Sequence, residues 1–327
     1  ANITSDNTER FKEEFNTLQD LSNQVSAGFS KTELFSLTLG LNDDTRENLS
    51  NTDFSSNFQS LTTANTSLSA GLDASDLFMM AINLTEDQKK NLTGPGNTFA
   101  ADFNAIKTAS TNNNLDLSGR DAFSLALGLS SDARSNLANT ARLTLDLTSL
   151  GLAATATGIT LTDFEKFSAA LTLNADSRAN LSNAARMRQD TAYVRRAASE
   201  TSYTLSVKDA FFTALNLNET SRANLLEIAR FKVDVGNLTT ALGTAQVTMG
   251  MDQIFQVALG LTSDGRANLA DPTRLGNDMR NIKTIATSLG AGLSDLDVFS
   301  IALSLSGDSR ANITSDNTER FKEEFNT

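Results

Sequence analysis

The sequence predicts an all-α protein of tandem helical repeats, about 44 residues each, stacked as an α-solenoid or a superhelical filament. Three observations support this fold class. A phenylalanine recurs every 43 to 45 residues, a helix-start pattern precedes every copy of it, and the 327 residues include only 2 Pro and 18 Gly. So few turn-forming residues are atypical of an all-β fold. The recurring phenylalanines are Phe35, Phe78, Phe123, Phe167, Phe211, Phe255 and Phe299.

The phenylalanine spacing divides the chain into seven repeats. We expect each repeat to contain a short helix, a helix of one to two turns and a long helix. A unit of this size cannot bury its own apolar face, so neighbouring repeats must stack on one another. Residues 1–29 are predicted to end a preceding repeat, and the seven repeats to span 30–72, 73–117, 118–161, 162–205, 206–249, 250–293 and 294–327, the last one truncated.

The first helix of each repeat is predicted from its cap. Five residues before every phenylalanine stands Ser, Thr, Asp or Gly, the residue types preferred at the N-cap of a helix. Glu, Asp or Gln follows three residues later, as in Thr162 and Glu165, which is the pattern of a capping box. Phe, a small residue three positions on and an aliphatic residue four positions on then share one predicted buried face. Phe299, Ala302 and Leu303 form this set in the last copy.

The second segment reads D-x-R-x-N-L and is predicted to be a short helix capped by its Asp. The basic column is Arg46, Lys89, Arg134, Arg178, Arg222, Arg266 and Arg310, and the asparagine column is Asn48, Asn91, Asn136, Asn180, Asn224, Asn268 and Asn312. A catalytic or metal-binding set is usually present once, whereas this one occurs seven times. The pattern therefore favours a structural role, with the basic residue bridging to a neighbouring repeat and Asn bonding to backbone groups.

The third segment is predicted to be a long helix. Asp271-Pro272 marks its start in the sixth repeat, because Pro is favoured at the first helical position after the N-cap. Glycine is the common stop signal after a last helical turn. We therefore expect long helices to end near Gly28, Gly71, Gly158, Gly290 and Gly292.

The 44-residue repeats are grouped into a longer sequence repeat. Residues 311–327 are identical to residues 1–17, an offset of 310 residues. Seven repeats therefore make one 310-residue superrepeat, which begins again at Ala311. The sequence predicts that the chain is a segment of a longer array of such blocks.

Composition narrows the classes of function. The net charge of −12 argues against nucleic acid as the main partner, because phosphate binding needs a basic face. The chain has no Cys and no His, which excludes thiol nucleophiles, imidazole bases and the common zinc ligands. No segment has the apolar length of a membrane span. Acidic clusters such as Asn42-Asp43-Asp44 leave calcium as the main rival cofactor, but no EF-hand loop is present, and we predict no cofactor.

These features predict a structural protein and not an enzyme: part of a giant repeat chain that forms an extracellular or cell-surface filament, stalk or sheath and associates with itself. Abundant Asn, Ser and Thr without Cys is typical of a bacterial surface protein. The alternative is a binding scaffold or adhesin that uses one face for a protein or polysaccharide. The candidate lateral contact is a row of arginines, Arg186, Arg188, Arg195 and Arg196, in an otherwise acidic chain. Its expected counterpart is an acidic patch such as Glu13, Glu14, Glu319, Glu323 and Glu324.

Overall fold

The structure is a computed structural model that describes residues 8–49 and 51–313. The described residues form helices packed in tandem, with no β-strand among them. The copy of residues 1–17 at 311–327 therefore lies largely outside the described part. The helices are α1 (Thr8–Gln24), α2 (Lys31–Gly40), α3 (Asp43–Asn48), α4 (Asn51–Leu68), α5 (Ala74–Ile82), α6 (Glu86–Thr93), α7 (Phe99–Asn112), α8 (Gly119–Leu127), α9 (Ser131–Ala138), α10 (Thr140–Thr157), α11 (Asp163–Thr172), α12 (Ala175–Leu181), α13 (Ala184–Glu200), α14 (Val207–Leu215), α15 (Glu219–Leu226), α16 (Ile228–Ala245), α17 (Met251–Gly260), α18 (Ser263–Leu269), α19 (Pro272–Leu289), α20 (Asp295–Ser304) and α21 (Gly307–Asn312).

The chain forms two compact units. The first comprises Ala1–Gly151 and Leu161–Leu173, and the second comprises Leu152–Thr160 and Asn174–Thr327. Within each unit, the first helix of a repeat packs against the long helix and the short helix of the repeat before it. In the first unit α5 contacts α4 and α3, and in the second unit α20 contacts α19 and α18.

The predicted caps of the first helices are confirmed. The N-cap residues are Ser30, Asp73, Ser118, Thr162, Ser206, Gly250 and Ser294. At Ser294 the hydroxyl accepts from the N–H of Asp297 (3.2 Å), while the Ser294 N–H donates to the Asp297 carboxylate (3.0 Å). Two N–H groups that would otherwise lack a partner are thereby satisfied at the start of α20.

The predicted cap of the short helices is wrong by two residues. Each short helix begins after a Ser, Thr or Asn that lies two positions before the Asp column, so that Asp occupies the second helical position. The N-cap residues are Asn42, Thr85, Ser130, Asn174, Asn218, Thr262 and Ser306. The carboxylate therefore lies in the first turn, where it interacts favourably with the positive end of the helix dipole.

The long helices end in a left-handed residue, but in most copies this residue is not glycine. The residue after the last turn has positive φ in seven copies: Ser26, Ser69, Asn114, Gly158, Ser202, Gln246 and Gly290. Gly28, Gly71 and Gly292 lie two residues further on, also with positive φ. The following N–H bonds back to a carbonyl of the last turn, as in Val247 to Leu242 (3.1 Å). This bond closes the helix end even where a side chain makes the backbone conformation unfavourable.

The phenylalanine column forms the core in six copies out of seven. Phe78, Phe123, Phe167, Phe211, Phe255 and Phe299 are at most 1% exposed. Phe78 packs against Phe54 of the preceding long helix, with ring centroids 5.1 Å apart. Phe35 is 44% exposed, which contradicts its predicted burial. Among the described residues, Phe35 packs edge-on against Phe11 of α1, with ring centroids 5.0 Å apart.

Candidate functional site: the junctions between repeats

The asparagine column joins each repeat to the next. Asn180 of α12 donates from Nδ2 to the carbonyl oxygens of Leu215 and Leu217, both at 2.9 Å, at the end of α14. The last carbonyls of a helix have no partner within it, and an amide NH₂ has two protons to donate. The same paired bonds join Asn48 to Ile82 and Leu84, Asn91 to Leu127 and Leu129, Asn136 to Leu171 and Leu173, Asn224 to Leu259 and Leu261, and Asn268 to Leu303 and Leu305. Asn312 is exposed at the end of α21.

The arginine column binds a carboxylate on the long helix of the preceding repeat. Arg310 of α21 donates from Nε to Asp278 of α19 at 2.7 Å. The corresponding pairs are Arg46 with Glu14 (2.7 Å), Arg134 with Asp102 (2.8 Å), Arg222 with Asp190 (2.8 Å) and Arg266 with Asp234 (2.8 Å). The hydrogen bond between Arg46 and Glu14 raises the pKa of Arg46 above the ordinary value for an arginine. Arg178 lies half-buried on α12 in the same column.

The two columns meet in one arrangement, which we call the junction triad. It consists of the long-helix carboxylate and the short-helix Asn of one repeat, and the Arg of the next. Arg310 donates from Nη2 to Oδ1 of Asn268 at 2.8 Å, while Asn268 donates to Leu303 and Leu305. Complete triads are Asp278–Arg310–Asn268, Asp102–Arg134–Asn91 (Nη2 to Oδ1, 3.0 Å) and Asp190–Arg222–Asn180.

The triad carboxylates are buried, so each depends on its arginine. Asp102, Asp190, Asp234 and Asp278 are 5 to 7% exposed. Removing one partner of a buried, hydrogen-bonded ion pair leaves an uncompensated charge and costs about 3–5 kcal/mol. In a complete triad the arginine donates to the carboxylate and to the asparagine, and the asparagine donates to two backbone carbonyls. These hydrogen bonds join one repeat to the next.

The carboxylate column went unrecognised in the sequence, although a signal for it exists. Each member lies 32 residues before an arginine of the basic column: Glu14, Asp102, Asp146, Asp190, Asp234 and Asp278. A search for constant spacing between unlike residues would have found it. Comparison of repeats by like residues would also have found five of the six, because Asp102, Asp146, Asp190, Asp234 and Asp278 follow one another at intervals of 44 residues.

Two junctions depart from the complete triad. At Asp234–Arg266 the ion pair is present, but Nη2 of Arg266 is buried without a hydrogen-bond partner, and a second junction lacks the ion pair itself. Where the others have a carboxylate and an arginine, the junction between the first and second repeats has Asn57 and Lys89. Lys89 bonds to Glu86 of its own helix at 2.8 Å. The Nδ2 of Asn57 is buried and has no hydrogen-bond partner in the structure, and the residue is 8% exposed. A buried donor without a partner costs about 1–3 kcal/mol, so this junction is the weaker one.

The arginine row of α13 lies on the surface. Arg186, Arg188, Arg195 and Arg196 are all exposed, and none forms an ion pair within the described part of the chain. Most other basic side chains there have a carboxylate within 4.0 Å, as Arg120 has Asp76 at 2.7 Å. Of the predicted acidic counterpart, Glu319, Glu323 and Glu324 lie outside the described residues. Glu14 is the triad partner of Arg46 and is not available to another chain.

Other kinds of site are not evident in the described residues. Between residues 8 and 313, Ser50 excepted, no group of three or more acidic side chains is placed to hold a metal ion. No described helix combines the length and the apolar character needed to cross a membrane. Comparisons with family models, with curated proteins and with solved structures find no match to this chain.

Proposed function

We propose that this is a structural protein whose 44-residue repeats stack as an α-solenoid and form an extracellular or cell-surface filament, stalk or sheath. The observation that supports this most directly is the junction triad. Complete triads occur at three junctions, in both units, and the distance from the arginine Nε to the carboxylate is 2.7 to 2.8 Å in each. A contact that relates each unit to the next by one operation, without closing a ring, generates an open array.

The polar chemistry of the repeat supports the same proposal. The asparagine and arginine columns, which recur most regularly, form their hydrogen bonds with neighbouring repeats. In a protein whose recurring polar residues hold the repeats together, function comes from the length and continuity of the array. Near-identical blocks suit such a role, because stability in a stacked array is a sum over repeats and their interfaces.

A length series tests the stacking. Chains of one, two and three copies of residues 1–310 are imaged by negative-stain electron microscopy. Stacked helices lie about 8–10 Å apart, so seven repeats should add about 55–70 Å of contour length per block. Equal increments, and uniform fibres at higher protein concentration, are expected. Particles that grow in diameter without growing in length, and stay dispersed at every concentration, would contradict the proposal.

Lateral association of such filaments is proposed to use the arginine row of α13. Its complement is the Asp at the second position of the short helices, a residue that is exposed in both units and is present in six of the seven short helices, with Thr220 in the other. These residues are Asp44, Asp87, Asp132, Asp176, Asp264 and Asp308. Arg188 and Arg195 are two helical turns apart, about 10 Å, which matches the spacing of stacked helices.

Charge reversal tests this contact. A variant with Glu at Arg186, Arg188, Arg195 and Arg196 should form single filaments, while the unchanged protein forms bundles that loosen as salt is added. Reversal of two other exposed arginines, Arg142 and Arg274, is the control and should leave the bundles intact. Bundles that persist in the four-site variant would rule out this contact and leave the stacking proposal untouched.

A further inference from the structure

The altered junction of the second repeat borders a groove. Three cavities of about 280, 310 and 380 Å³ adjoin one another, the first between α3 and the start of α6 and the other two along α4, and neighbouring cavities share lining residues. Glu47 and Lys89 line both the first and the middle cavity, and Ser60 and Thr93 line both the middle and the last. Asn57, whose Nδ2 has no hydrogen-bond partner, lines the middle one.

The middle cavity of the groove lies at a junction without a triad, whereas the triad junction Asp190–Arg222 borders a smaller cavity of about 180 Å³. At Asp102–Arg134 and Asp278–Arg310 an arginine spans the space between the long helix and the next short helix. At Asn57 the shorter amide does not reach Lys89, which bonds to Glu86 instead. Gly94-Pro95-Gly96 follows α6, in the interval from Phe78 to Phe123, which is 45 residues long instead of 44. Both changes fall at the same junction.

We propose that this groove binds an uncharged oligosaccharide. Its lining combines hydroxyl, amide and carboxylate groups, including Ser56, Ser60 and Asn97, with apolar side chains such as Leu92 and Phe99. A ligand here must accept from Asn57 and donate to carboxylates, and a hydroxyl group does both. The α4 helix has 18 residues and is about 27 Å long, so an extended chain fits it better than a compact molecule.

Charge and backbone geometry disfavour the other polymers. Asp44, Glu47, Asp53 and Glu86 line the first two cavities against one cation, Lys89, so an anionic chain is repelled. An extended peptide needs a free sheet edge, and a helical peptide needs a row of apolar pockets. The groove is bounded by helices, whose backbone groups already bond to one another, and the lining of its middle cavity is mainly polar.

Calorimetric titration with three neutral probes tests the proposal: hexamers of α-linked glucose, β-linked glucose and β-linked N-acetylglucosamine. At least one should bind at millimolar concentration or below. The double variant Asn57→Asp with Lys89→Arg installs the pair found at the other junctions, so it should stay folded and bind about tenfold more weakly. The control Asn277→Asp with Lys283→Arg makes the same chemical changes on α19 and should bind normally.

Two results would overturn the assignment. One is that none of the three hexamers binds to the unchanged protein. The other is that the double variant binds as tightly as the control, which would place the sugar elsewhere on the chain. The inference does not depend on filament formation, and imaging of the same variants separates the two questions.

Discussion

The junction at α19 and α21 and the junction at α4 and α6 use the same two positions of the repeat in different ways. Asp278 and Arg310 pair at 2.7 Å, and Arg310 also bonds to Asn268. Asn57 and Lys89 hold the equivalent positions, but Asn57 retains an unpartnered Nδ2 and a cavity of about 310 Å³ lies beside it. The first junction thus has an ion pair and an arginine–asparagine bond, whereas the second has a buried donor without a partner and a cavity beside it.

The largest expected difference between the two junctions is in stability. Asp278→Ala leaves the half-buried Arg310 without its carboxylate and should lower the free energy of unfolding by about 3–5 kcal/mol. Asn57→Ala removes a side chain whose Nδ2 has no hydrogen-bond partner, and should change the free energy of unfolding by less than about 1 kcal/mol. Urea denaturation followed by circular dichroism measures both. Equal losses would show that the ion pair is not what distinguishes the junctions.

A smaller effect is expected from the asparagine column. Asn268→Ala removes the two bonds to Leu303 and Leu305 and the acceptor for Arg310, and should cost about 2–3 kcal/mol. Asn312 holds the same column but is exposed. Asn312→Ala should therefore stay within about 0.5 kcal/mol, by the same denaturation measurement. A loss at Asn312 as large as that at Asn268 would contradict this account of the column.

The helix ends offer a matched pair of opposite sign. Gln246 has φ of 56° and Gly290 has φ of 66°, in the same position of consecutive repeats. Gln246→Gly should raise the free energy of unfolding by about 1 kcal/mol, and Gly290→Ala should lower it by a similar amount. Thermal denaturation of both variants measures the effect. A change of the same sign in both would mean that backbone strain is not the cause.

The smallest effect concerns pH at the caps of the first helices. Hydrogen bonds from the Ser294 hydroxyl and backbone lower the pKa of Asp297 below its ordinary value of 3.8. The folded chain thus favours the ionised form more than the unfolded chain does, so the associated stability is present above pH 3.8 and is lost as pH falls through the folded pKa.

Melting temperatures measured from neutral to acidic pH test this. Asp297→Asn should flatten the acid side of the curve slightly. In the preceding repeat the same position is Gln253, which carries no charge, so Gln253→Ala should shift the curve equally at every pH. An Asp297→Asn curve parallel to that of the unchanged protein would refute the cap as a source of acid sensitivity.

The sequence predicted helix positions better than it predicted helix ends. The first-helix caps were read correctly because Ser294 and Asp297 meet within one turn. The short-helix cap was placed at Asp308 instead of Ser306, because both residue types are good caps and only the backbone decides between them. Long helices were expected to end near Gly28 and Gly71, but the left-handed residue after the last turn is Ser26 or Ser69, because the backbone bond that closes the turn does not require glycine.

The candidate site was predicted only in part. Arg310 and Asn268 were identified by recurrence, but Asp278 was not, because it lies on a separate helix 32 residues earlier. The exposure of Phe35 and the groove beside Asn57 also depend on which helices cover a residue, and no local pattern records that.

The sequence by itself determined the helical class, the 44-residue period and the residues that recur in each copy. These follow from side-chain chemistry within one or two turns of helix and from comparison of the repeats with one another. Only the tertiary structure decided how those residues pair. Asp278, Arg310 and Asn268 come from three helices in two repeats, and each satisfies groups that another leaves unpaired. Such pairing depends on distances between helices, which are set by packing after the helices have formed.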